Sequence, residues 1–143
     1  MPVSYLSDLS LDSTLLRNGL RVLLVYPNTR DVAMANLGFQ KVYSLLNEIE
    51  GVVCDRYALP LGWKPETESL DREALRSIDL KMHPLDFDVI AFSISFEPDY
   101  LNAVLALKYF GIPLDRDERD ASFPMITAGG SAIFINPEPL AEC

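Results

Sequence analysis

Small polar side chains and glycines stand directly after three apolar segments of this sequence. In chain order these residues are Asn28, Thr29, Ser93, Ser95, Glu97, Gly129, Gly130 and Ser131. Hydroxyl and amide groups can hydrogen-bond a polar ligand, and glycine lets a ring or a phosphate approach the backbone because it has no Cβ. We therefore predict that these residues bind a ligand, and we identify no catalytic residue among them.

Some of these candidates also have simple structural interpretations. Gly129 and Gly130 could merely turn the chain after a strand, and the sequence leaves both interpretations open. Glu97 could act as an acid, a base or a hydrogen-bond acceptor, but we favour a cap for the following helix, whose N-terminus attracts a carboxylate. The single histidine, His83, precedes the third apolar segment and is interpreted as a surface residue without a role in a site.

Several kinds of site are excluded because their motifs are missing from the sequence. There is no G-x-G-x-x-G dinucleotide motif and no G-x-S-x-G nucleophile elbow. The third apolar segment ends in serines rather than in the phosphorylatable aspartate of a receiver domain. The two cysteines, Cys54 and Cys143, are far apart and form neither a disulfide framework nor a set of metal ligands. We therefore predict no metal site in this sequence.

The composition is that of a globular protein with an acidic surface. Hydrophobic residues make up 49% of the 143 residues, and 12 basic residues against 21 acidic ones give a net charge of -9. Such a surface repels phosphate backbones, so we expect no binding to nucleic acid by this chain alone. No apolar run reaches the roughly 20 residues that a membrane span requires. The first residues do not resemble a signal peptide, and we expect a cytoplasmic protein.

Apolar runs alternate with amphipathic stretches along the chain. Strands are predicted at residues 21–27, 52–57, 87–95 and 123–128, with a loop at 28–31. Helices are predicted at residues 36–50, 68–78 and 99–110, with the start of another in 131–143. This alternation indicates the α/β class, with an open, doubly wound parallel sheet of flavodoxin-like order 2-1-3-4. In such a sheet ligands bind beyond the carboxyl ends of the strands, where the candidate residues lie.

The chain is divided into an extension and a domain. Residues 1–20 are predicted to be an N-terminal extension, in which leucines could form short amphipathic turns. These leucines are Leu6, Leu9, Leu11, Leu15 and Leu16. Residues 21–143 are predicted to form one Rossmann-type domain.

Four strings in this domain resemble the opening of a family of large radical S-adenosylmethionine (SAM) proteins of the Fe–S oxidoreductase type. They lie at residues 21–29, 34–40, 86–97 and 128–142, where Ala-Gly-Gly-Ser leads to Asn-Pro-Glu-Pro. The resemblance covers nearly all of the chain from Arg21 to Glu142. It implies a B12-binding-like accessory domain that is not an enzyme by itself and that is incomplete before a fifth strand.

The same resemblance implies a partner domain and its cofactors. In that family a barrel follows, whose C-x-x-x-C-x-x-C motif holds a [4Fe–4S] cluster that binds and cleaves SAM. The present sequence has no such motif. The expected partner is therefore the radical SAM barrel of the same polypeptide, outside this chain.

Cobalamin is the cofactor that the resemblance suggests for this domain itself. Histidine-ligated cobalamin domains carry D-x-H-x-x-G after the first strand, whereas residues 28–34 contain no histidine. Either cobalamin binds without a protein histidine, or the domain keeps the fold as an interaction or structural module without cobalamin. A free-standing binder of a flavin or a nucleotide is a third alternative.

Overall fold

The computed structural model describes residues 13–143. Its helices are α1 (Ser13–Asn18), α2 (Arg30–Ala35), α3 (Leu37–Asn47), α4 (Asp99–Phe110) and α5 (Ser131–Ile135). Its strands are β1 (Leu20–Thr29), β2 (Val52–Leu59), β3 (Val89–Ser93) and β4 (Met125–Gly129). Single 3-10 turns lie at Pro84–Asp86, Arg116–Glu118 and Glu138–Leu140. The short turns expected around Leu6, Leu9 and Leu11 lie outside the described residues, and the boundary of the domain near residue 20 stays a prediction.

The four strands form one parallel sheet in the order β2-β1-β3-β4, which confirms the predicted α/β fold and strand order. Strand β1 is central, and Val22 pairs with Cys54 on one side and with Val89 on the other. Six consecutive residues of β1 are buried because both faces of the sheet are covered there. This double burial explains why β1 has a continuous apolar sequence rather than an alternating one.

Helices α3 and α4 cover opposite faces of the sheet, as predicted. On one face Phe39 and Tyr43 of α3 pack against Val22 and Leu24 of β1. On the other face α4 packs against the alternate residues of β1 and β3 through a longer apolar stripe. That stripe consists of Tyr100, Ala103, Ala106, Leu107 and Phe110. Helix α4 has the predicted bounds and ends at Gly111, whose φ of 76° requires glycine or a strained residue.

The segment between β1 and α3 differs from the expected loop at residues 28–31. Strand β1 continues to Thr29, which pairs with Leu59 after an irregularity in the register, and α2 begins at the next residue. Helix α3 then ends at Asn47, three residues earlier than predicted. The side chain of Asn47 bonds to both the N–H and the carbonyl of Cys54, at 2.9 and 3.0 Å, and so ties the end of the helix to β2.

The prediction of a helix at residues 68–78 is wrong, because only isolated turns form there. The following residues 77–82, which we call the edge strap, run beside β2 instead. The carboxylate of Asp55 accepts the backbone N–H groups of Asp79 and Leu80 at 3.1 and 2.8 Å, and Ile78 donates to the Arg56 carbonyl at 2.9 Å. Within the predicted helix, Ser77 and Ile78 donate their backbone N–H groups to the carbonyls of Met82 and Arg56, both at 2.9 Å, and not to carbonyls one helical turn earlier. The strap also covers the outer edge of β2.

The face of the sheet that α3 covers is open over β3 and β4. On β4 the residues Met125, Thr127 and Gly129 of this face are exposed, and on β3 Ala91 and Ser93 are only half-buried. An open groove therefore lies beside α3 and above the end of β3. Among the described residues no helix is both long and apolar enough to cross a membrane.

Candidate functional site

The groove beside α3 has a volume of about 450 Å³ and reaches the carboxyl edge of the sheet. Five of the predicted site residues line it, namely Ser93, Ser95, Gly129, Gly130 and Ser131. The ends of β3 and β4 bring them together, because Ser93 pairs with Gly129 across the two parallel strands. The structure thus joins two of the three candidate loops in one concave surface, at the edge where open α/β sheets bind their ligands.

A small hydrogen-bond network ties the walls of the groove together. The hydroxyl of Ser131 donates to the backbone carbonyl of Ser95 at 3.0 Å. The Asn36 side-chain amide donates to the Ser95 hydroxyl at 3.4 Å and to the Tyr26 hydroxyl at 3.3 Å. Its oxygen accepts the N–H of Phe39 at 2.9 Å and caps helix α3. Asn36 therefore holds the start of α3 against the ends of β1 and β3.

The two adjacent glycines have different reasons to be glycine. A Cβ on Gly130 would lie 2.8 Å from the carbonyl carbon of Ile94, and its φ of 112° is a conformation that other residues rarely adopt. Gly130 is therefore required by the turn itself. A Cβ on Gly129 would meet no atom within 4 Å, so this position opens into the groove. The turn interpretation is confirmed at Gly130, and ligand binding at Gly129 stays a prediction.

Asn28 and Thr29 lie at the same edge but do not line the groove. The Asn28 side-chain amide donates to the Asp99 carboxylate at 3.0 Å, and Asn102 donates to the same oxygen at 3.0 Å and to the Pro27 carbonyl at 2.9 Å. Burial raises the pKa of the Asp99 carboxyl, while these two amides act in the opposite direction. This cluster joins the end of β1 to the start of α4, and Asn28 has a structural partner there.

Glu97 and His83 also lie outside the groove. The Glu97 side chain is exposed one residue before Pro98, the N-cap of α4, which has no side-chain cap bond; an electrostatic effect of Glu97 on this helix stays a prediction. Only the backbone carbonyl of Glu97 accepts the N–H of Tyr100, at 3.0 Å. His83 lies before β3, where its Nδ1 accepts the N–H of Leu85 at 3.2 Å and caps a 3-10 turn.

Several groove residues were not predicted from the sequence. They are Leu24, Asn36, Gly38, Val42, Ala91, Phe92, Thr127 and Ala128. Asn36 could have been found, because an asparagine before an amphipathic run is a typical N-cap. The others lie in α3, β1, β3 and β4. Their exposure depends on how far α3 covers the sheet, which no local pattern reports.

None of the described residues that line the groove has a charged side chain. Its polar groups are the hydroxyls of serine and threonine, the amide of Asn36 and backbone groups near Gly129. Such a lining can orient an uncharged group by hydrogen bonds and pack against its apolar surface, but it offers no acid, base or nucleophile activated by a neighbouring base. Within residues 13–143 no group of three or more potential metal ligands occurs.

A family described as the N-terminal region of radical SAM proteins matches residues 38–143, which is most of the chain and includes β2, β3, β4, Gly129 and Gly130. No curated protein and no solved structure matches significantly.

Proposed function

The chain belongs to the family of N-terminal regions of radical SAM proteins, and from this premise we propose that it positions cobalamin or a substrate for a catalytic barrel. The barrel, with its [4Fe–4S] cluster and SAM, is part of the same polypeptide and lies outside this chain. The parent protein is then a radical SAM enzyme of the Fe–S oxidoreductase type, and this domain is a binding module. We place it in the cytoplasm, where the two free thiols would stay reduced.

The observation that carries this proposal is the uncharged groove at the carboxyl edge. Its place at the ends of β3 and β4 is the usual ligand position in an open α/β sheet. Gly129 leaves room for a bulky group there, because no atom lies within 4 Å of a Cβ at this position. The lack of acids and bases in the groove favours a module that presents a ligand over one that converts it.

Cobalamin fits this site only without a protein histidine as ligand. The one histidine, His83, lies on the amino side of β3, and its Nδ1 accepts a hydrogen bond from the N–H of Leu85. Ser93, Ser95, Gly129 and Ser131 would instead contact the amide groups and the apolar surface of the cofactor. Cobalamin is larger than the groove, so only a part of it would enter. When bound, it supplies the radical or group-transfer chemistry of its cobalt.

A titration with hydroxocobalamin tests this proposal. We expect a saturable change in the visible spectrum with the purified chain, and Gly129→Val should abolish it because the new side chain fills the groove. Met125→Val is the matched control, since Met125 is exposed on the same face of β4 but does not line the groove. Binding should survive in that variant.

Other outcomes of the titration point to the alternatives. A spectrum that does not change at any concentration contradicts cobalamin binding and favours an interaction or structural module. A yellow chromophore that copurifies with the chain favours a flavin. Equal affinities of the wild type and Gly129→Val would place a bound ligand elsewhere.

A further inference from the structure

A cavity lies at the carboxyl ends of β1 and β2, and we call it the second cavity. Its volume is about 370 Å³, a size typical of small-molecule sites. The end of β2, the start of α2 and the segment at residues 73–81 form its walls. No lining residue is shared with the groove beside α3, so an inference about this cavity goes beyond the proposed function and does not rest on it.

Three basic side chains line the second cavity. They are Arg30, Arg76 and Lys81, from a chain that has only twelve basic residues and a net charge of -9. Among the described residues none of these three forms an ion pair with a carboxylate, although Asp31 and Glu73 line the same cavity. The cavity therefore offers cationic groups to an anion from outside the chain.

The edge strap brings two of these cations together. Ser77 and Met82 close a short loop, because the N–H of Ser77 donates to the Met82 carbonyl and the N–H of Met82 donates to the Ser77 hydroxyl, both at 2.9 Å. Arg76 precedes this loop and Lys81 lies near its end, and the Arg76 guanidinium donates to the Lys81 carbonyl at 3.0 Å. Part of the Arg76 side chain is thus held in place, so less side-chain freedom is lost when an anion binds.

Lys81 has a strained backbone. Its φ is 57°, and in the part of the chain that the structure describes no other residue except glycine has a positive φ. This conformation costs free energy for a lysine, and residues held in such conformations cluster at ligand sites. Glycine would adopt it without that cost, so the turn alone gives no reason for a lysine at this position.

We propose that the second cavity binds a small phosphorylated sugar. Arg30, Arg76 and Lys81 hold the phosphate, because guanidinium groups bond phosphate oxygens bidentately and an ammonium adds a third positive charge. Pro60 and Ile78 supply apolar lining on which the carbon skeleton of the sugar packs.

The mixture of charges favours a sugar phosphate over other anions. A phosphate group carries up to about two negative charges and has three strong acceptor oxygens for the cations. Asp31 and Glu73 accept hydrogen bonds from the sugar hydroxyls and repel a second anionic group. A nucleic acid would extend beyond the cavity along a chain whose net charge of -9 repels it.

Titration calorimetry of the purified chain with ribose 5-phosphate tests the inference. We expect saturable binding that NaCl weakens, since screening reduces the attraction between the phosphate and the cations. Inorganic phosphate, which lacks the sugar, and ribose, which lacks the phosphate, should each bind more weakly. In NMR spectra of the same titration the N–H signals of Ile78 and Lys81 should shift, while those of Gly129 and Ser131 should not.

Matched variants locate the phosphate. Arg76→Gln should weaken the binding of ribose 5-phosphate about tenfold or more, because hydrogen bonds to a charged group are lost. Arg72→Gln removes the same charge from an exposed residue nearby that does not line the cavity, and should leave the affinity nearly unchanged. Arg30→Gln, on the wall formed by α2, should act like Arg76→Gln without altering the strap.

A third kind of variant tests the role of the carboxylates. Asp31→Asn removes a negative charge from the lining, so inorganic phosphate should bind more tightly. The preference for ribose 5-phosphate over inorganic phosphate should fall in this variant, because a good acceptor for the sugar hydroxyls is lost. This ratio is measured within one protein and does not depend on a change in stability.

Several results would overturn the inference. One is the absence of ribose 5-phosphate binding to the wild type. Equal losses in Arg76→Gln and Arg72→Gln would assign the binding to the overall charge of the chain and not to the cavity. NMR shifts at Gly129 and Ser131 in place of Ile78 and Lys81 would put the ligand in the groove. Any of these results leaves the outcome of the hydroxocobalamin titration unaffected, because the two cavities share no residue.

Discussion

Gly129 and Gly130 show how adjacent identical residues can serve different ends. Gly130 has a φ of 112° and lies against the backbone of Ile94, so its glycine is a requirement of the turn. Gly129 faces open space in the groove, so the fold does not require glycine there. Of the two adjacent glycines, one is thus required by the turn and the other is free to serve the proposed ligand site.

Alanine at each position should separate these roles. Gly130→Ala should lower the free energy of unfolding by about 1–3 kcal/mol, because it forces a strained backbone and a contact with Ile94. Gly129→Ala should change it by less than about 0.5 kcal/mol, as is usual at an open surface position. Urea denaturation of both variants measures the difference. Equal losses would mean that the turn does not have the described conformation.

The edge strap of residues 77–82 takes the place of a crossover helix between β2 and β3. Asp55 holds the strap against β2. Its side chain is buried and accepts hydrogen bonds from the backbone N–H groups of Arg56, Asp79 and Leu80. Burial raises the pKa of this carboxyl, against the effect of its hydrogen bonds. The buried Arg56 adds a bond of 3.1 Å to Asp79 and places its guanidinium 4.0 Å from the Tyr43 ring centre.

Asp55→Asn should loosen the strap. The amide NH2 of the new asparagine would face a backbone N–H group, and two donors cannot bond to each other. The buried N–H is then unsatisfied, which should lower the free energy of unfolding by about 1–3 kcal/mol. Hydrogen exchange at Asp79 and Leu80 should become faster, while exchange in α4 should change only with global stability. Asp117→Asn, the same substitution at an exposed position, is the control. Unchanged exchange at Leu80 in the Asp55 variant would show that other contacts hold the strap.

At the scale of the whole molecule, the two edges of the sheet differ in chemistry. The carboxyl edge carries the groove, whose described lining residues are uncharged, and the amino edge carries the Arg21–Asp88 ion pair and the charged run at residues 115–120. An uncharged groove at the carboxyl edge agrees with the proposal of a module that presents a ligand there. The family to which the chain belongs supports an accessory domain of a radical SAM protein.

The parent polypeptide should therefore carry the catalytic motif after Cys143. We expect C-x-x-x-C-x-x-C within about a hundred codons, a typical domain length, when the gene is sequenced further. The reconstituted parent protein should show the absorption of a [4Fe–4S] cluster, whereas the present chain, with its two distant cysteines, should not. A stop codon directly after Cys143 would contradict the accessory-domain proposal.

The sequence by itself determined the parallel sheet, its strand order and the helix at residues 99–110. These features follow from hydrophobic periodicity and from the handedness of crossovers, which are local or general rules. It also placed Ser93, Ser95, Gly129, Gly130 and Ser131 together at the carboxyl ends of β3 and β4, where they line the groove. Their role in binding a ligand stays a prediction. The expected helix at 68–78 is wrong, and at its end Ser77 and Ile78 donate their N–H groups to the carbonyls of Met82 and Arg56 instead of to a helix. Arg56 is distant in sequence, so local periodicity does not report this pairing.

Only the tertiary structure decided which polar residues share one site. Asn28 is bonded to Asp99 and Glu97 is exposed outside the groove, although both stand at the ends of strands. Thr127 and Asn36 line the groove because α3 leaves β3 and β4 uncovered, and Asn36 fixes α3 in that place. The extent of this cover depends on packing between residues far apart in the chain, so periodicity and motifs do not report it.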